Sequence, residues 1–326
     1  MPETKNVPTP PARLARTDPL YIVMNLGSGD RDAETAARTV NEILDAAGQR
    51  YELLVVDDPS KLGEIAERAA GLAEQNRGAV VAAGGDGTIN AVAQATLRKN
   101  RPFGVIPQGT FNYFSRAHGI SSDTGESTRA LLDASIQPVQ VGLINDRLFL
   151  VNASLGLYPE LLERRETDKQ KFGRHRFVAF CSGLMTLLRE HRQLVLSVAR
   201  EDGTENTLRT PTLFVGNNPL QLQQIGIAQA SAVPHGELAA ITVRPIGAIA
   251  MLGLALRGAM SKLGDSDNVY SFAFQRMKVR PWLPSGRRRV KVAIDGEITT
   301  LATPLCFRVG PSLQLLAPAP ASDRRM

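Results

Sequence analysis

Apolar and polar positions follow two different patterns along the chain, and the change comes near Ser135. Before this point, short apolar runs alternate with segments whose apolar residues recur every three or four positions. The runs predict buried strands and the intervening segments predict amphipathic helices. The predicted strands cover residues 20–24, 51–56, 78–81 and 103–106, and the predicted helices cover 32–47, 59–75, a segment after Thr88 and a segment ending near His118. This β-α alternation predicts an open parallel sheet with helices on both faces.

After Ser135, short alternating segments predict antiparallel strands of a sandwich or curled sheet. They cover residues 139–141, 147–151, 194–198, 212–215, 238–243, 269–274, 277–279, 290–294 and 305–309. Two apolar helices are predicted at 177–188 and 247–262. They pack in the core of this domain, or they form the wall of an acyl-chain pocket or a membrane-facing surface. The predicted domains are a disordered segment 1–18, an α/β domain 19–138, a β-sandwich domain 139–317 and a tail 318–326.

Composition narrows the classes of partner. The 326 residues carry a net charge of +6, which favours an anionic partner such as a nucleotide, an acidic membrane surface or nucleic acid. Aromatic residues make up only 5%, which argues against a surface that stacks on bases. The two cysteines, Cys181 and Cys306, predict no disulfide framework and are consistent with a reducing, cytoplasmic location. The longest apolar run, 246–256, is too short to span a bilayer.

The segment from Gly84 to Asn90 combines a strand end, a glycine turn and a helix start, with Thr88 as the predicted N-cap. Glycines allow a ligand close to the backbone, and the N–H groups of a first helical turn bind anions. The negative charge of Asp86 would repel a bare phosphate. The residue is therefore consistent with a site that binds a phosphate together with a metal ion, or with a site in which Asp86 binds a hydroxyl group. An ordinary glycine-rich turn is the alternative. Two further turns, 25–29 and 107–112, also follow strands, so all three turns are expected at one edge of the sheet.

These three turns, together with Asp295-Gly296-Glu297 and the segment 152–156, resemble the diacylglycerol kinase catalytic family, which includes bacterial lipid kinases and the sphingosine and ceramide kinases. The resemblance covers about residues 20–316. The central loop alone is shared with NAD kinases and, more loosely, with phosphofructokinases, so the order of the motifs makes the match specific. The resemblance implies a Rossmann-like α/β nucleotide domain, then a β-sandwich whose final strand returns to the first domain.

The resemblance also implies transfer of the ATP γ-phosphate to the hydroxyl of diacylglycerol or a related lipid alcohol, with Mg²⁺. It implies that Glu297 accepts the proton and that Asp295 lies close by, so that both acids meet the N-terminal turns around one triphosphate. The predicted catalytic residues are Asp86, Asp295 and Glu297, and Asp86 is also the candidate Mg²⁺ ligand. The predicted nucleotide-binding residues are Asn25, Ser28, Gly29, Gly84, Gly85, Asp86, Gly87, Thr88, Asn90, Gly109, Thr110 and Asn112.

Several alternatives stay open. From the residues alone, Asp-Gly is a common hairpin turn, and one of the two acids around Gly296 is expected to be structural or metal-linked. Where the family usually has carboxylates, this chain has Ala91, Tyr113, His235 and Ala239. The second hypothesis is therefore a weak or inactive nucleotide- or lipid-binding member, and an NAD kinase is the third. Basic clusters form a solvated face or attract anionic lipid headgroups at a peripheral membrane contact. They are Arg164-Arg165, 169–176 and Arg287-Arg288-Arg289. No nucleic acid is expected, and a homodimer is possible.

Overall fold

The computed structural model describes residues 12–25, 31–157, 159, 194–200, 203, 205–247, 250, 253–254, 257, 260–283 and 288–318. The chain divides into a first unit, Met1–Val139 with Ser312–Met326, and a second unit, Gln140–Pro311. Some predictions lie outside the described residues. They concern Ser28, Gly29, the helix at 177–188, much of the helix at 247–262, and the basic residues Arg164, Arg165, 169–176 and Arg287.

The elements are numbered in chain order. The strands are β1 Leu20–Asn25, β2 Tyr51–Val56, β3 Ala79–Gly84, β4 Phe103–Pro107, β5 Ser135–Val139, β6 Gly142–Ile144, β7 Arg147–Phe149, β8 Asn152–Gly156, β9 Leu194–Arg200, β10 Glu205–Thr210, β11 Thr212–Gly216, β12 Leu238–Val243, β13 Val269–Phe274, β14 Arg276–Pro281, β15 Arg289–Ile294, β16 Glu297–Ala302, β17 Leu305–Val309 and β18 Leu313–Ala317. The α-helices are α1 Arg31–Ala46, α2 Leu62–Gln75, α3 Asp86–Arg98, α4 Tyr113–Ala117, α5 Thr124–Leu132 and α6 Pro219–Gln224.

The first unit is built on a six-stranded sheet in the order β2-β1-β3-β4-β18-β5. Strands β1 to β4 are parallel, and β18 pairs in parallel with β4, so the predicted parallel sheet and the predicted return of the final strand are both confirmed. The strand predicted at 139–141 is wrong. It runs instead over Ser135–Val139 and pairs with β18 in the first unit, because its hydrogen-bonding partner comes from the far end of the chain.

Helices cover both faces of this sheet, as predicted. On one face, Val40 and Leu44 of α1 and Leu131 of α5 pack against the strands, and α2 and α3 pack together elsewhere on the sheet. Gly48, just after α1, has a φ of 64°, which is typical of a helix C-cap. The α5 helix was not predicted, because its apolar spacing is weak. Its start does carry a local signal, since the Asp123 carboxylate accepts a hydrogen bond from the Glu126 N–H at 2.8 Å.

The second unit is a sandwich of two antiparallel six-stranded sheets. The β14 sheet has the order β10-β9-β14-β17-β6-β7, and the β8 sheet has the order β13-β12-β11-β8-β15-β16. The core between them includes Leu196, Val279 and Phe307 from the first and Leu155 and Val215 from the second, all fully buried. The predicted sandwich is therefore confirmed. Several of its strands were not predicted, because they are short or largely polar. They are β6, β8, β10 and β16.

The far side of the β8 sheet is also covered by protein. Leu222 of α6 and Ile227 pack against Ala239 and Ile241 of β12 in a separate apolar cluster. Within the part of the chain that the structure describes, no helix is long and apolar enough to cross a membrane.

Candidate active site

The central turn connects β3 directly to α3. Gly85 is the residue before the helix, with extended backbone (φ −79°, ψ −179°), and α3 begins at Asp86. The prediction of Thr88 as N-cap is therefore wrong, because the glycines let the helix begin three residues earlier. Thr88 lies in the first helical turn, and its Oγ1 accepts a hydrogen bond from Asn25 Nδ2 at 3.1 Å. A Cβ at Gly84 would lie 2.8 Å from the Thr88 Cβ, so only glycine fits there.

The turn after β4 packs directly on the central turn. The N–H of Gln108 donates to the carbonyl oxygen of Gly84 at 2.8 Å. A Cβ at Gly109 would lie 3.1 Å from the Gly85 Cα, so the two glycines allow the backbones to meet. Asn112, at a left-handed φ of 46°, braces this turn. Its Oδ1 accepts from the Gly109 N–H at 3.1 Å, and its Nδ2 donates to the Gly109 carbonyl oxygen at 2.8 Å.

The structure thus brings together most of the predicted nucleotide-binding residues of the first unit. Asn25, Gly84, Gly85, Thr88 and Gly109 are linked by the contacts above. Asp86 joins them because the Asn112 N–H donates to its carboxylate. Gly87 and Asn90 follow on α3 as half-buried residues, and Thr110 is exposed in the second turn.

The electrostatics of this end of α3 favour an anion that arrives with a cation. No side chain caps the helix at Gly85, so the first-turn N–H groups and the positive end of the helix dipole face the turn. Desolvation raises the pKa of Asp86, and the hydrogen bond from the Asn112 N–H lowers it by less. A partly desolvated carboxylate beside an anion site is stabilised by a metal ion between them. Among the described residues, no group of three or more His, Cys, Asp or Glu side chains could hold a metal ion.

Asp295 and Gly296 form a two-residue hairpin turn between β15 and β16. Both have positive φ, 47° and 90°, which is typical of the type I′ turn that joins twisted strands. The Asp295 carboxylate accepts three backbone hydrogen bonds, from the N–H groups of Leu150 at 2.8 Å, Val151 at 2.8 Å and Asn152 at 2.9 Å. Asp295 therefore has a structural role in this hairpin, and its predicted catalytic role stays a prediction.

Glu297 is the first residue of β16 and lies opposite Ile294 of β15. The residue is exposed, yet desolvation raises the pKa of its carboxyl above the ordinary value of 4.5. Water therefore reaches a carboxyl whose charged form is partly destabilised by the protein around it. That combination suits a proton acceptor, whose pKa should approach the working pH.

Comparison with known proteins shows which proteins this chain resembles. Residues 19–144 match the sequence model described as the diacylglycerol kinase catalytic domain. This part of the chain is therefore similar to the diacylglycerol kinase catalytic domain. A "Diacylglycerol kinase" of Staphylococcus saprophyticus is 38% identical over 98 residues, covering 29% of this chain and 32% of that protein. A "Probable lipid kinase YegS-like" of Pseudomonas aeruginosa is 30% identical over 156 residues, covering 47% and 48%. The alignments therefore span less than half of either kinase.

Two further likenesses extend over most of the chain. An "Uncharacterized protein sll0036" of Synechocystis is 26% identical and covers 94% of this chain and 71% of its own length. The crystal structure of a diacylglycerol kinase from Bacillus anthracis strain Sterne superposes with a TM-score of 0.65 at 17% identity, over 93% of this chain and 97% of that one. This superposition supports one conclusion, namely that the chain and the Bacillus anthracis protein share the two-domain fold.

Positions where diacylglycerol kinase relatives were expected to have carboxylates serve other purposes here. Tyr113 stacks on Phe111, with ring centroids 6.2 Å apart, and Arg116 lies 5.7 Å from the centroid of the Tyr113 ring. His235 is exposed, and its Nδ1 lies 2.8 Å from the Ser231 carbonyl oxygen. Ala239 is fully buried in β12, where a carboxylate would be costly.

Sequence reasoning missed the residues that hold the Asp295 turn. The backbone of Leu150–Asn152 donates three hydrogen bonds to the Asp295 carboxylate, but it lies more than 140 residues away in the sequence. The Asn25 contact with Thr88 was also missed in detail, although the strand order placed both turns at the same edge.

Proposed function

We propose that this chain is a kinase that transfers the γ-phosphate of ATP to the hydroxyl group of diacylglycerol or a related lipid alcohol, with Mg²⁺ bound alongside the nucleotide. The observation that carries the proposal is the junction of the two glycine turns after β3 and β4 with Asn25 at the uncapped start of α3, where Asp86 also lies. The match of residues 19–144 to the diacylglycerol kinase catalytic domain and the names of the kinase relatives support the same class of reaction.

The residues of the first unit fit a triphosphate with its metal ion. The N–H groups at the start of α3 would bind phosphate oxygens, and the close approach of Gly85 and Gly109 leaves backbone rather than side chains at the surface of the turn. Asp86 would hold Mg²⁺, since this ion is often bound by one or two carboxylates together with phosphates. When bound, the ion neutralises charge on the transferred phosphoryl group.

The second unit contributes the proton acceptor in this proposal. Glu297 accepts the proton of the lipid hydroxyl, and the hairpin held by Asp295 fixes where β16 begins. Because the pKa of Glu297 is raised above 4.5, activity should fall as the pH is lowered through this raised value, when the carboxyl becomes protonated. It stays a prediction that Glu297 accepts this proton next to a nucleotide bound at Asp86.

The test is phosphorylation of a panel of lipid alcohols in mixed micelles with radiolabelled ATP and Mg²⁺. The panel contains diacylglycerol, monoacylglycerol, ceramide and sphingosine. We expect one or more to be phosphorylated, and we expect Asp86→Asn and Glu297→Gln each to lower kcat by roughly 100-fold or more. Asp133→Asn, at an exposed acid of the first unit, is the matched control and should keep full activity. Phosphorylation of no lipid, or full activity of Glu297→Gln, would contradict the proposal.

One observation favours a second candidate, a nucleotide- or lipid-binding protein with weak or no kinase activity. The positions Ala91, Tyr113, His235 and Ala239 carry no carboxylate, and a single lost catalytic interaction often costs several kcal/mol. A thermal shift with ATP together with a silent lipid assay would support this candidate. An arm with NAD as the acceptor completes the panel, because NADP formation would identify the NAD kinase alternative.

A further inference from the structure

Strand β14 of the second unit alternates strictly between apolar and basic residues. Met277, Val279 and Pro281 are buried, the first two in the sandwich core, whereas Arg276, Lys278 and Arg280 are exposed on the outer side. Trp282 continues the alternation after the strand, and it is 73% exposed. A strand with one buried face and three cations on the other presents a positively charged surface.

Neighbouring strands extend this surface, because residues in register on an antiparallel sheet point to the same side. Arg308 of β17 lies directly opposite Arg276. On the other side, Arg209 of β10 lies opposite Val195 of β9, whose carbonyl oxygen accepts the Trp282 N–H at 2.8 Å. We call this surface the basic face. It consists of Arg209, Arg276, Lys278, Arg280, Trp282 and Arg308.

The charges of the basic face are not neutralised by the rest of the described chain. Within the described residues, none of its five cations forms an ion pair, whereas Arg68, Arg98 and Lys99 of the first unit each pair with a glutamate. Arg276 and Arg308 face each other as like charges, an arrangement that destabilises a sheet. Glu205 is an acid on the same side of the sheet, but its carboxylate accepts a hydrogen bond from the Ser197 hydroxyl and does not pair with any of these cations. Such a surface is stabilised when an anionic partner covers it.

We infer that the basic face docks on the surface of an anionic lipid bilayer, with Trp282 at the level of the headgroups. Tryptophan favours the membrane interface, where its ring is apolar and its N–H is hydrated. Clustered basic residues are attracted by anionic headgroups. The choice of a bilayer rests on the proposed function, since a lipid alcohol is drawn from a membrane. Nucleic acid fits less well, because the basic face has one aromatic residue and stacking surfaces use several.

The chain offers its own probe, because Trp282 is its only tryptophan. The experiment titrates the full chain, without ATP, with phosphatidylglycerol vesicles and separately with phosphatidylcholine vesicles. We expect a saturable blue shift of tryptophan emission with the anionic vesicles only, quenching by brominated lipid, and weaker binding as salt is raised. Because no turnover is measured, a catalytically inactive protein still gives a result.

Two triple variants decide whether this surface is responsible. Arg276→Gln, Lys278→Gln and Arg280→Gln together should weaken vesicle binding roughly 100-fold, since each basic residue near an anionic surface contributes roughly fivefold. The control removes the same charge elsewhere, with Arg68→Gln, Arg98→Gln and Lys99→Gln, and should bind like the wild type. Circular dichroism checks that both variants fold.

Three results would overturn the inference. The first is the absence of an emission change with anionic vesicles. The second is equal weakening in both triple variants, which would mean that only net charge matters. The third is tighter binding of single- or double-stranded DNA or RNA than of anionic vesicles at the same salt, which would assign the basic face to nucleic acid.

Discussion

Removal of the Asp295 carboxylate should loosen the hairpin that carries Glu297. The carboxylate accepts hydrogen bonds from three backbone N–H groups, and the residues that donate them, Leu150, Val151 and Asn152, are all buried. A hydrogen bond to a charged group contributes about 1.5–3 kcal/mol, and buried donors left unpaired carry a similar cost. With partial rescue by water, we expect Asp295→Ala to lower the free energy of unfolding by about 3–6 kcal/mol.

The Asp295→Asn variant distinguishes the contribution of the carboxylate from that of the backbone conformation. Asparagine tolerates the positive φ of 47° at this position, but its amide group cannot accept all three hydrogen bonds. We therefore expect about half of the alanine effect. Asp146→Asn is the matched control, because Asp146 is an exposed acid in the hairpin turn between β6 and β7 of the same unit. A change within about 0.5 kcal/mol is expected there.

Hydrogen exchange provides the local measurement, since the two units need not unfold together. In the wild type, the amides of Leu150–Asn152 should exchange slowly, and in Asp295→Ala they should exchange faster by the factor that corresponds to the lost free energy. Urea denaturation followed by circular dichroism gives the global value. If Asp295→Ala changes neither the exchange of these amides nor the urea midpoint by the equivalent of about 1 kcal/mol, the structural role assigned to this carboxylate is refuted.

Two further predictions concern the first unit. Burial lowers the pKa of His118 from 6.5 to about 4. Between these two pH values the imidazole stays neutral in the folded protein but takes up a proton in the unfolded chain. The free energy of unfolding should therefore fall by about 3 kcal/mol as the pH drops from about 6.5 to about 4. His118→Gln should flatten this dependence in urea midpoints measured across that range, whereas the exposed His235→Gln should leave it intact. At Gly109, a Cβ would lie 3.1 Å from the Gly85 Cα, so Gly109→Ala should weaken ATP binding roughly tenfold or more in calorimetry. Gly71→Ala in α2, where no atom lies within 4 Å of the added Cβ, should bind ATP normally, and equal binding by both variants would contradict the turn geometry.

Local pattern was enough for much of the first unit. The apolar runs of β1 and β3 are buried on both faces and could only be central strands, and the glycine turns after β3 and β4 then had to lie at one sheet edge. The start of α3 could not be predicted to the residue. Thr88 is a good N-cap by type, but the flexibility of Gly84 and Gly85 moved the helix start to Asp86.

Short polar strands of the second unit gave a weaker signal. Glu205–Thr210 has little apolar alternation, and it becomes a strand because it can pair with β9. The β14 alternation is visible in the sequence, but it does not say that Arg308 and Arg209 lie on the same side. That follows only from the partners of β14 and β9.

The sequence by itself therefore determined the α/β and sandwich classes and the glycine turns, and it identified Asp86 and Glu297 as candidate site residues, because these depend on residue type and on periodicity over a few positions. Only the tertiary structure decided that Asp295 is held by the backbone of Leu150–Asn152, that the returning strand β18 lies between β4 and β5, and which cations share the basic face. The physical reason is that strand partners are selected by burial and hydrogen bonding between segments far apart in the chain, and local propensity carries no record of them.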